Sequence, residues 1–123
     1  MKHILLVEDE ALLREGIEEA LELSGFQVSG AANGIEALES IQETKFDLVI
    51  SDLVMPKMDG VDFVAKLRET HPDLPVLIAS GSAGAVMARF GLKSLDVPGA
   101  TAHIKKPFKV ADLVALVNEL LNP

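Results

Sequence analysis

The fold is decided by residues 46–60, which read FDLVISDLVMPKMDG. The apolar run at residues 48–50 is too short for a helix and is typical of a strand that is buried on both faces. Pro56 and the pair Asp59-Gly60 prevent this strand from continuing. Asp52 is therefore expected at the carboxyl end of a buried strand. Taken alone, an Asp at that place is as well explained by a solvated turn as by a functional role.

The composition indicates one domain with a core of aliphatic side chains. The 123 residues are 49% hydrophobic, but the only aromatic residues are five Phe, so aliphatic side chains must fill the core. A chain of this length buries roughly two thirds of the surface that it exposes when unfolded. Cysteine is absent, which excludes disulfides, thiolate catalysis and zinc–thiolate sites and is compatible with a reducing compartment.

The charge and the N-terminal segment limit the possible partners. The net charge of −8 opposes nucleic-acid binding, because a protein needs a basic face to displace counterions from phosphates. The first apolar run, residues 4–7, is followed at once by acids and is too short for a signal peptide or a membrane span. We therefore expect a cytoplasmic protein that binds neither nucleic acid nor membrane.

Strand and helix patterns alternate along the chain. Strands are predicted at residues 4–7, 26–31, 48–50, 76–79 and 101–105. Helices are predicted from apolar residues at helical spacing and from capping residues. These residues are Leu13, Ile17, Ala20 and Leu21 in the first helix, Asn33, Ala37, Leu38 and Ile41 in the second, Asp59, Val64 and Leu67 in the third, and Leu113, Val117, Leu120 and Leu121 in the last, at residues 109–121.

The segment from Gly81 to Gly99 departs from this regularity. Its glycines weaken any helix, and only a short or irregular one is expected around residues 85–93. With that helix included, five strands alternate with five helices. This order predicts an α/β fold with a doubly wound parallel sheet covered on both faces. A single domain over residues 1–123 is expected, with no attached effector domain.

Polar residues follow four of the predicted strands. They are Glu8, Asp9 and Glu10 after the first strand, Asp52 after the third, Ser80 after the fourth, and Lys105 and Lys106 after the fifth. Ligands of open α/β sheets bind outside the carboxyl ends of the strands. The sequence therefore predicts a site at this edge that combines carboxylates, a hydroxyl and an ammonium.

These groups suit phosphoryl chemistry. Glu8, Asp9 and Asp52 would repel one another unless a cation compensates them, and oxygen ligands without His or Cys favour Mg²⁺. A carboxylate can attack phosphorus to form an aspartyl phosphate, while Lys106 and Ser80 stabilise the transferred group. The alternatives are acids favoured at a helix N-terminus, an exposed Lys and a turn Ser. Each is plausible alone, and only the combination favours a site.

The same residues, in this order, resemble the response-regulator receiver domains of two-component signalling. The resemblance covers essentially the whole chain and rests on residues 7–10 (VEDE), on Asp52 with Met55-Pro56 and Asp59-Gly60, on Pro75 leading to Ser80, and on Lys106-Pro107-Phe108. It implies a flavodoxin-like fold with strand order 2-1-3-4-5.

The resemblance also implies roles for the site residues. Asp52 would accept a phosphoryl group from a phosphohistidine. Mg²⁺ would be bound by Asp9, Asp52 and the backbone carbonyl of Val54, with Glu8 acting largely through water. Lys106 would pair with Asp52 or with the phosphate, and its bond to Pro107 would be cis.

Two features depart from the family pattern. The family usually has Tyr or Phe where this chain has His103, the residue that would turn inward when the Ser80 hydroxyl moves onto the phosphate. His103 is therefore either a modified switch residue or a partly buried strand residue with a satisfied ring nitrogen. The segment between Ser80 and Lys106 is also longer than usual. It indicates either a specialised surface on the fourth helix, fifth strand and fifth helix or a tolerated insertion.

We expect a phosphoaccepting switch that acts by protein contact and is not an ordinary enzyme, although it assists its own phosphorylation and dephosphorylation. Its donor would be a sensor histidine kinase or a histidine phosphotransfer protein, its downstream partner is an unknown protein, and it would be a monomer or weak dimer. The alternatives are a constitutive receiver-like scaffold, a haloacid-dehalogenase-type phosphatase and a flavin-binding module. The phosphatase needs a second Asp where Val54 lies, and the acidic edge suits a flavin phosphate poorly.

Overall fold

Residues 1–80 and 97–122, which the computed structural model describes, form a five-stranded parallel sheet. The strands are β1 (His3–Val7), β2 (Gln27–Ala31), β3 (Leu48–Asp52), β4 (Val76–Ser80) and β5 (Ala102–Lys105). Their order is β2-β1-β3-β4-β5. The predicted doubly wound α/β fold and its strand order are confirmed.

Helices cover the sheet in the alternation that the sequence predicts. They are α1 (Ala11–Leu23), α2 (Gly34–Glu43), α3 (Gly60–Thr70) and α4 (Val110–Leu121). These are four of the five predicted helices, and the helix expected around residues 85–93 lies outside the described residues. None of the helices in the described part of the chain is long and apolar enough to cross a membrane.

The predicted caps of α2 and α3 are present. The Asn33 side chain accepts a hydrogen bond from the backbone N–H of Glu36 at 3.0 Å, and the Asp59 side chain accepts one from Asp62 at 3.1 Å. Each cap satisfies a backbone donor that the helix cannot pair itself, which typically contributes about 1 kcal/mol. The cap at Asp59 also fixes where the loop after β3 ends.

The strands are buried on both faces, which is why their sequences are continuously apolar. Alternate residues of one strand enter two separate cores. Leu5 packs with the apolar residues of α2 and α3 on one face, while Ile4 and Leu6 pack with those of α1 and α4 on the other. Successive side chains of a strand point to opposite faces of the sheet, and helices cover both faces, so each strand contributes to both cores.

The strand register brings the carboxyl ends of the strands to one edge. Val7 pairs with Ser51, so the next residues, Glu8 just after β1 and Asp52 at the end of β3, lie side by side. Asp52 in turn pairs with Ala79, and Ser80 pairs with Lys105. Glu8 and Ser80 therefore lie at the ends of the two strands that flank Asp52. Lys106 follows β5, the next strand beyond Ser80.

Candidate functional site

Three carboxylates meet at the carboxyl ends of β1 and β3. Oxygen atoms of Glu8, Asp9 and Asp52 all lie within 4.8 Å of one another. The side chains of Glu8 and Asp52 are only 6% and 12% exposed, whereas Asp9 is exposed. The cluster that the sequence predicts is therefore formed, with one carboxylate open to solvent and two shielded from it.

Lys106 joins two of these carboxylates. Its Nζ donates to Oδ2 of Asp52 at 3.0 Å and to Oε2 of Glu8 at 3.3 Å. Its backbone N–H donates to the carbonyl of Ser80 at 2.8 Å, which fixes where the side chain begins. The Lys106–Pro107 peptide bond is cis, as the resemblance implies. The predicted pairing with Asp52 is observed, and the pairing with Glu8 is an additional contact.

The charges at this edge shift two pKa values upward. Burial raises the pKa of Glu8, and the nearby negative charge of Asp52 raises it further, while Lys106 lowers it only in part. Burial alone would lower the pKa of Lys106, but its hydrogen bond to Asp52 and the charges of Asp52 and Glu8 outweigh burial and raise it. One ammonium thus faces three carboxylates, a set of hard oxygen ligands with excess negative charge that fits Mg²⁺.

The loop after β3 is shaped by Gly60. Its N–H donates to the carbonyl of Leu53 at 2.7 Å. A Cβ atom on Gly60 would lie 2.9 Å from the Leu53 Cα and 3.0 Å from the Asp52 carbonyl oxygen, so any side chain would displace the backbone beside Asp52. Lys57 adopts a left-handed conformation with φ of 70°, and the Met58 N–H donates to the Pro56 carbonyl at 2.8 Å. The predicted turn is thus a tight one that ends against Asp52.

Ser80 lies at the end of β4 and is 3% exposed. Its Oγ finds no hydrogen-bond partner among residues 1–80 and 97–122. Burying a hydroxyl without a partner costs about 1–3 kcal/mol, so such groups are rare in folded proteins and call for an explanation. The structure places this hydroxyl one residue beyond Ala79, the β4 partner of Asp52.

His103 is half-buried on β5, where it pairs with Ile78. Its Nε2 accepts a hydrogen bond from the backbone N–H of Val97 at 3.0 Å. The geometry is that of a partly buried strand residue with a satisfied ring nitrogen, and its role as a switch residue stays a prediction.

A cleft of about 700 Å³ opens beside Asp52 and Lys106. Its lining is mostly apolar and comes from three parts of the chain: Leu13, Asp52, Val54, Lys106, Pro107, Phe108 and Val110. Val54, two residues after Asp52, is 47% exposed at its rim. The Asp52 carboxylate is therefore reachable from a concave surface, and the predicted roles of Asp52 as acceptor and of the Val54 carbonyl as a metal ligand stay predictions.

Arg14 makes a second contact at the site that was not predicted from the sequence. Arg14, near the start of α1, donates from Nη1 to the backbone carbonyl of Glu8 at 2.6 Å. Its position in the sequence was the only signal that could have found it. A cation near the N-terminus of a helix is disfavoured by the macrodipole, so an Arg there calls for a compensating contact. Sequence reasoning considered only the acids of this turn and missed the residue that contacts its backbone.

Comparisons with known proteins agree with this geometry. The family model described as the response regulator receiver domain matches residues 4–118. Among curated proteins, the sensor kinase CckA of Brucella abortus (strain 2308) is 41% identical over 96% of this chain, which spans 12% of that protein. The response regulator receiver protein CpdR of the same strain is 36% identical over 98% of both chains. The transcriptional regulatory protein PrrA of Mycobacterium leprae is 39% identical, and this chain spans 49% of its length.

Solved structures show the same fold. A response regulator receiver domain protein from Clostridium thermocellum superposes with a TM-score of 0.85 at 29% identity, covering 99% of this chain and 95% of that one. The response regulator TrrA from Thermotoga maritima, solved in complex with Mg(2+)-BeF, gives a TM-score of 0.83 at 30% identity, covering 98% of this chain and 100% of that one. With the family match over most of its length, the chain belongs to the response regulator receiver domain family.

Proposed function

We propose that this domain is a switch that accepts a phosphoryl group on Asp52. Members of its family are generally phosphoaccepting signalling domains and not classical enzymes. The observation that carries the proposal is Lys106, whose Nζ contacts both Asp52 and Glu8 where three carboxylates converge. Neither a solvated turn nor a set of helix-terminal acids explains why an ammonium just after β5 pairs with carboxylates at the ends of β1 and β3.

The reaction requires little of the protein beyond positioning and charge neutralisation. An oxygen of the Asp52 carboxylate attacks phosphorus, and a P–O bond forms as the P–N bond of a donor phosphohistidine breaks. The electron pair of the broken bond stays on the imidazole nitrogen, which takes up a proton. Lys106 already lies at hydrogen-bond distance from the nucleophile, so its ammonium is placed to neutralise the transferred oxygens without moving far.

Glu8, Asp9 and Asp52, together with the carbonyl of Val54, would hold Mg²⁺. When bound, the ion would supply positive charge to the phosphoryl oxygens that Lys106 does not reach. Glu8 is buried and paired with Lys106, so it is better placed to act through water than as a direct ligand. The exposed Asp9 and the reachable Asp52 are the more accessible carboxylates.

The donor would be a histidine kinase or a histidine phosphotransfer protein. The relative CckA is named a sensor kinase, which supports a donor of this kind. We infer that the output lies on β5 and α4, because Lys106 links the reacting carboxylate directly to the end of β5. The downstream partner would be a protein that binds this surface after phosphorylation.

The switch would use two residues on neighbouring strands. Ser80 carries a buried hydroxyl that has no partner in the described part of the chain, so a phosphoryl oxygen would give it one. His103 would respond from β5, and any inward turn would have to break its bond to Val97. The coupling through His103 is therefore expected to be weaker than through an aromatic ring without such a bond.

The test is phosphorylation by a small donor. The protein is incubated with MgCl₂ and acetyl phosphate and weighed intact by mass spectrometry, with EDTA and Asp52→Ala as controls. We expect a gain of one phosphoryl mass that needs Mg²⁺ and is absent from Asp52→Ala. Asp47→Ala, just before the same strand begins, serves as a matched control that keeps the gain. An equal gain in Asp52→Ala would contradict the proposal, because another residue would then be the acceptor. No gain with any small donor would also contradict it and would favour a constitutive scaffold.

A further inference from the structure

Every polar atom of Glu8 takes part in a hydrogen bond. Its N–H donates to the carbonyl of Ala31 at 3.0 Å, Oε1 accepts from the Glu10 N–H at 3.2 Å, and Oε2 accepts from Lys106 at 3.3 Å. Its carbonyl accepts from Nη1 of Arg14 at 2.6 Å. Three of these four bonds belong to the sheet or to the site itself. The bond from Arg14 is the one made by a side chain that has no part in the proposed reaction.

The Arg14 side chain is held in place by Glu18 and by the space above Gly30. Its Nε lies 3.6 Å from Oε1 of Glu18 one turn along α1, with both side chains about three-quarters buried at 22% and 25% exposure. Both lie over Gly30 of β2, where a Cβ atom would come within 2.5 Å of Glu18 Oε1 and 3.1 Å of Arg14 Cδ. The missing side chain at Gly30 therefore leaves the space in which this pair lies.

The electrostatics argue against an incidental contact. A cation near the N-terminus of a helix opposes the macrodipole, and Arg14 also lies close to a site proposed for a divalent cation. Both effects disfavour Arg14 at this place. The pair with Glu18 is a weak reason for it, because an i,i+4 ion pair on a helix contributes little and the two charged groups are 3.6 Å apart. The bond to the Glu8 carbonyl is short and charge-assisted, and it is the stronger interaction.

We infer that Arg14 is a positioning residue of the metal site: it holds the backbone turn that carries Glu8 and Asp9 so that both carboxylates face Asp52. The inference rests on the proposed function, because it assigns Arg14 a role in cation binding at that site. Arg14 touches neither the reacting carboxylate nor any proposed ligand atom. It acts through the carbonyl of Glu8, as outer partners of metal ligands commonly do.

The opposite signs of two effects make the inference testable. Removing a positive charge near a bound cation should by itself tighten Mg²⁺ binding, whereas releasing the turn should weaken it. We therefore expect Arg14→Ala to raise the dissociation constant for Mg²⁺ about tenfold, the lower end of the usual effect of removing such a partner. Arg14→Lys, which keeps the charge and a donor, should lie closer to wild type. Glu18→Gln leaves the bond to Glu8 intact and should change the constant less than about twofold.

Two measurements decide the outcome. Calorimetric titration with MgCl₂ at constant ionic strength gives the dissociation constants. Amide hydrogen exchange in EDTA follows the Glu10 N–H, whose bond to Glu8 Oε1 should open more readily in Arg14→Ala, with exchange about tenfold faster. If wild type binds Mg²⁺ and Arg14→Ala binds it equally or more tightly, the positioning role is overturned while the proposed function stands. If wild type binds no Mg²⁺, the proposed function fails, and unchanged exchange at Glu10 would overturn the role of Arg14 separately.

Discussion

Lys106 is the cation that two shielded carboxylates share, and its replacement by Met removes that charge while keeping most of the side-chain volume. Without Mg²⁺, Asp52 and Glu8 then lose the ammonium that contacts them at 3.0 and 3.3 Å. The metal-free protein should be less stable than wild type. Saturating Mg²⁺ should reduce the difference, because the ion then compensates the same carboxylates.

The size of the effect follows from the two contacts. Hydrogen bonds to charged groups contribute about 1.5–3 kcal/mol each. The Lys106 side chain is 24% exposed, so solvent screens part of both interactions, and protonation of Glu8 limits the charge left behind. We expect the free energy of unfolding to fall by about 2–3 kcal/mol in EDTA. If loss of the ammonium makes Mg²⁺ bind tenfold more tightly, saturating Mg²⁺ returns about 1.4 kcal/mol of this difference.

The assay is urea unfolding followed by far-ultraviolet circular dichroism, since the chain has no Trp or Tyr to report by fluorescence. Each variant is unfolded in EDTA and in MgCl₂ at matched ionic strength. Lys105→Met is the control, because Lys105 is the exposed neighbour on β5 and its replacement removes the same charge. A surface change of this kind should stay within about 0.5 kcal/mol of wild type.

Two results would refute this reasoning. If Lys106→Met is no less stable in EDTA than Lys105→Met, the two contacts of Lys106 do not stabilise the fold. If Mg²⁺ stabilises wild type and Lys106→Met by the same amount, the ion and the ammonium do not compensate the same carboxylates. The second result would also weaken the assignment of Glu8, Asp9 and Asp52 as the metal site.

Two further predictions concern the remaining site residues. Because the pKa of Glu8 is raised in the folded protein, the stability that its neutral form contributes is complete below the ordinary pKa of 4.5 and is lost as the pH rises through the raised value. In urea unfolding, Glu8→Gln should therefore be more stable than wild type at pH 7 in EDTA and should lose that advantage near pH 3.5. An equal advantage at both pH values would contradict burial and the Asp52 charge as the causes of the raised pKa of Glu8. Ser80→Ala should strongly reduce the phosphorylation-induced amide shifts on β5 and α4 in NMR spectra, because it removes the buried hydroxyl that has no partner in the described part of the chain. His103→Ala should reduce the same shifts to a smaller extent, because the bond from Val97 holds the ring back. Shifts unchanged from wild type would exclude the respective residue from the switch.

The fold was predictable because its determinants are local. Strands buried on both faces give uninterrupted apolar runs, and residues 48–50 show this clearly with exposures of 0%, 0% and 2%. Strand ends were predicted to within a residue or two, as for β5, which begins at Ala102 and not at residue 101. Such ends depend on register with the neighbouring strand, and a single sequence does not contain that information.

The convergence of the site was predictable for a different reason. Parallel strands joined by helices must place their carboxyl ends at one edge, so Asp52, Glu8 and Lys106 had to lie near one another. Which atoms touch was not predictable. The second bond of Lys106 to Glu8 and the bond from Arg14 to a backbone carbonyl depend on the paths of long side chains, and those paths are set by packing.

A hydrogen bond links His103 to the residue that follows the undescribed segment 81–96. The family resemblance implies an aromatic residue where this chain has His103, and a shorter segment between Ser80 and Lys106. Nε2 of His103 accepts the backbone N–H of Val97, a buried residue in the described part of that segment. A phenylalanine ring has no acceptor nitrogen and could not make this bond. The ring that would report phosphorylation is therefore also the group that holds the backbone of Val97, just before β5.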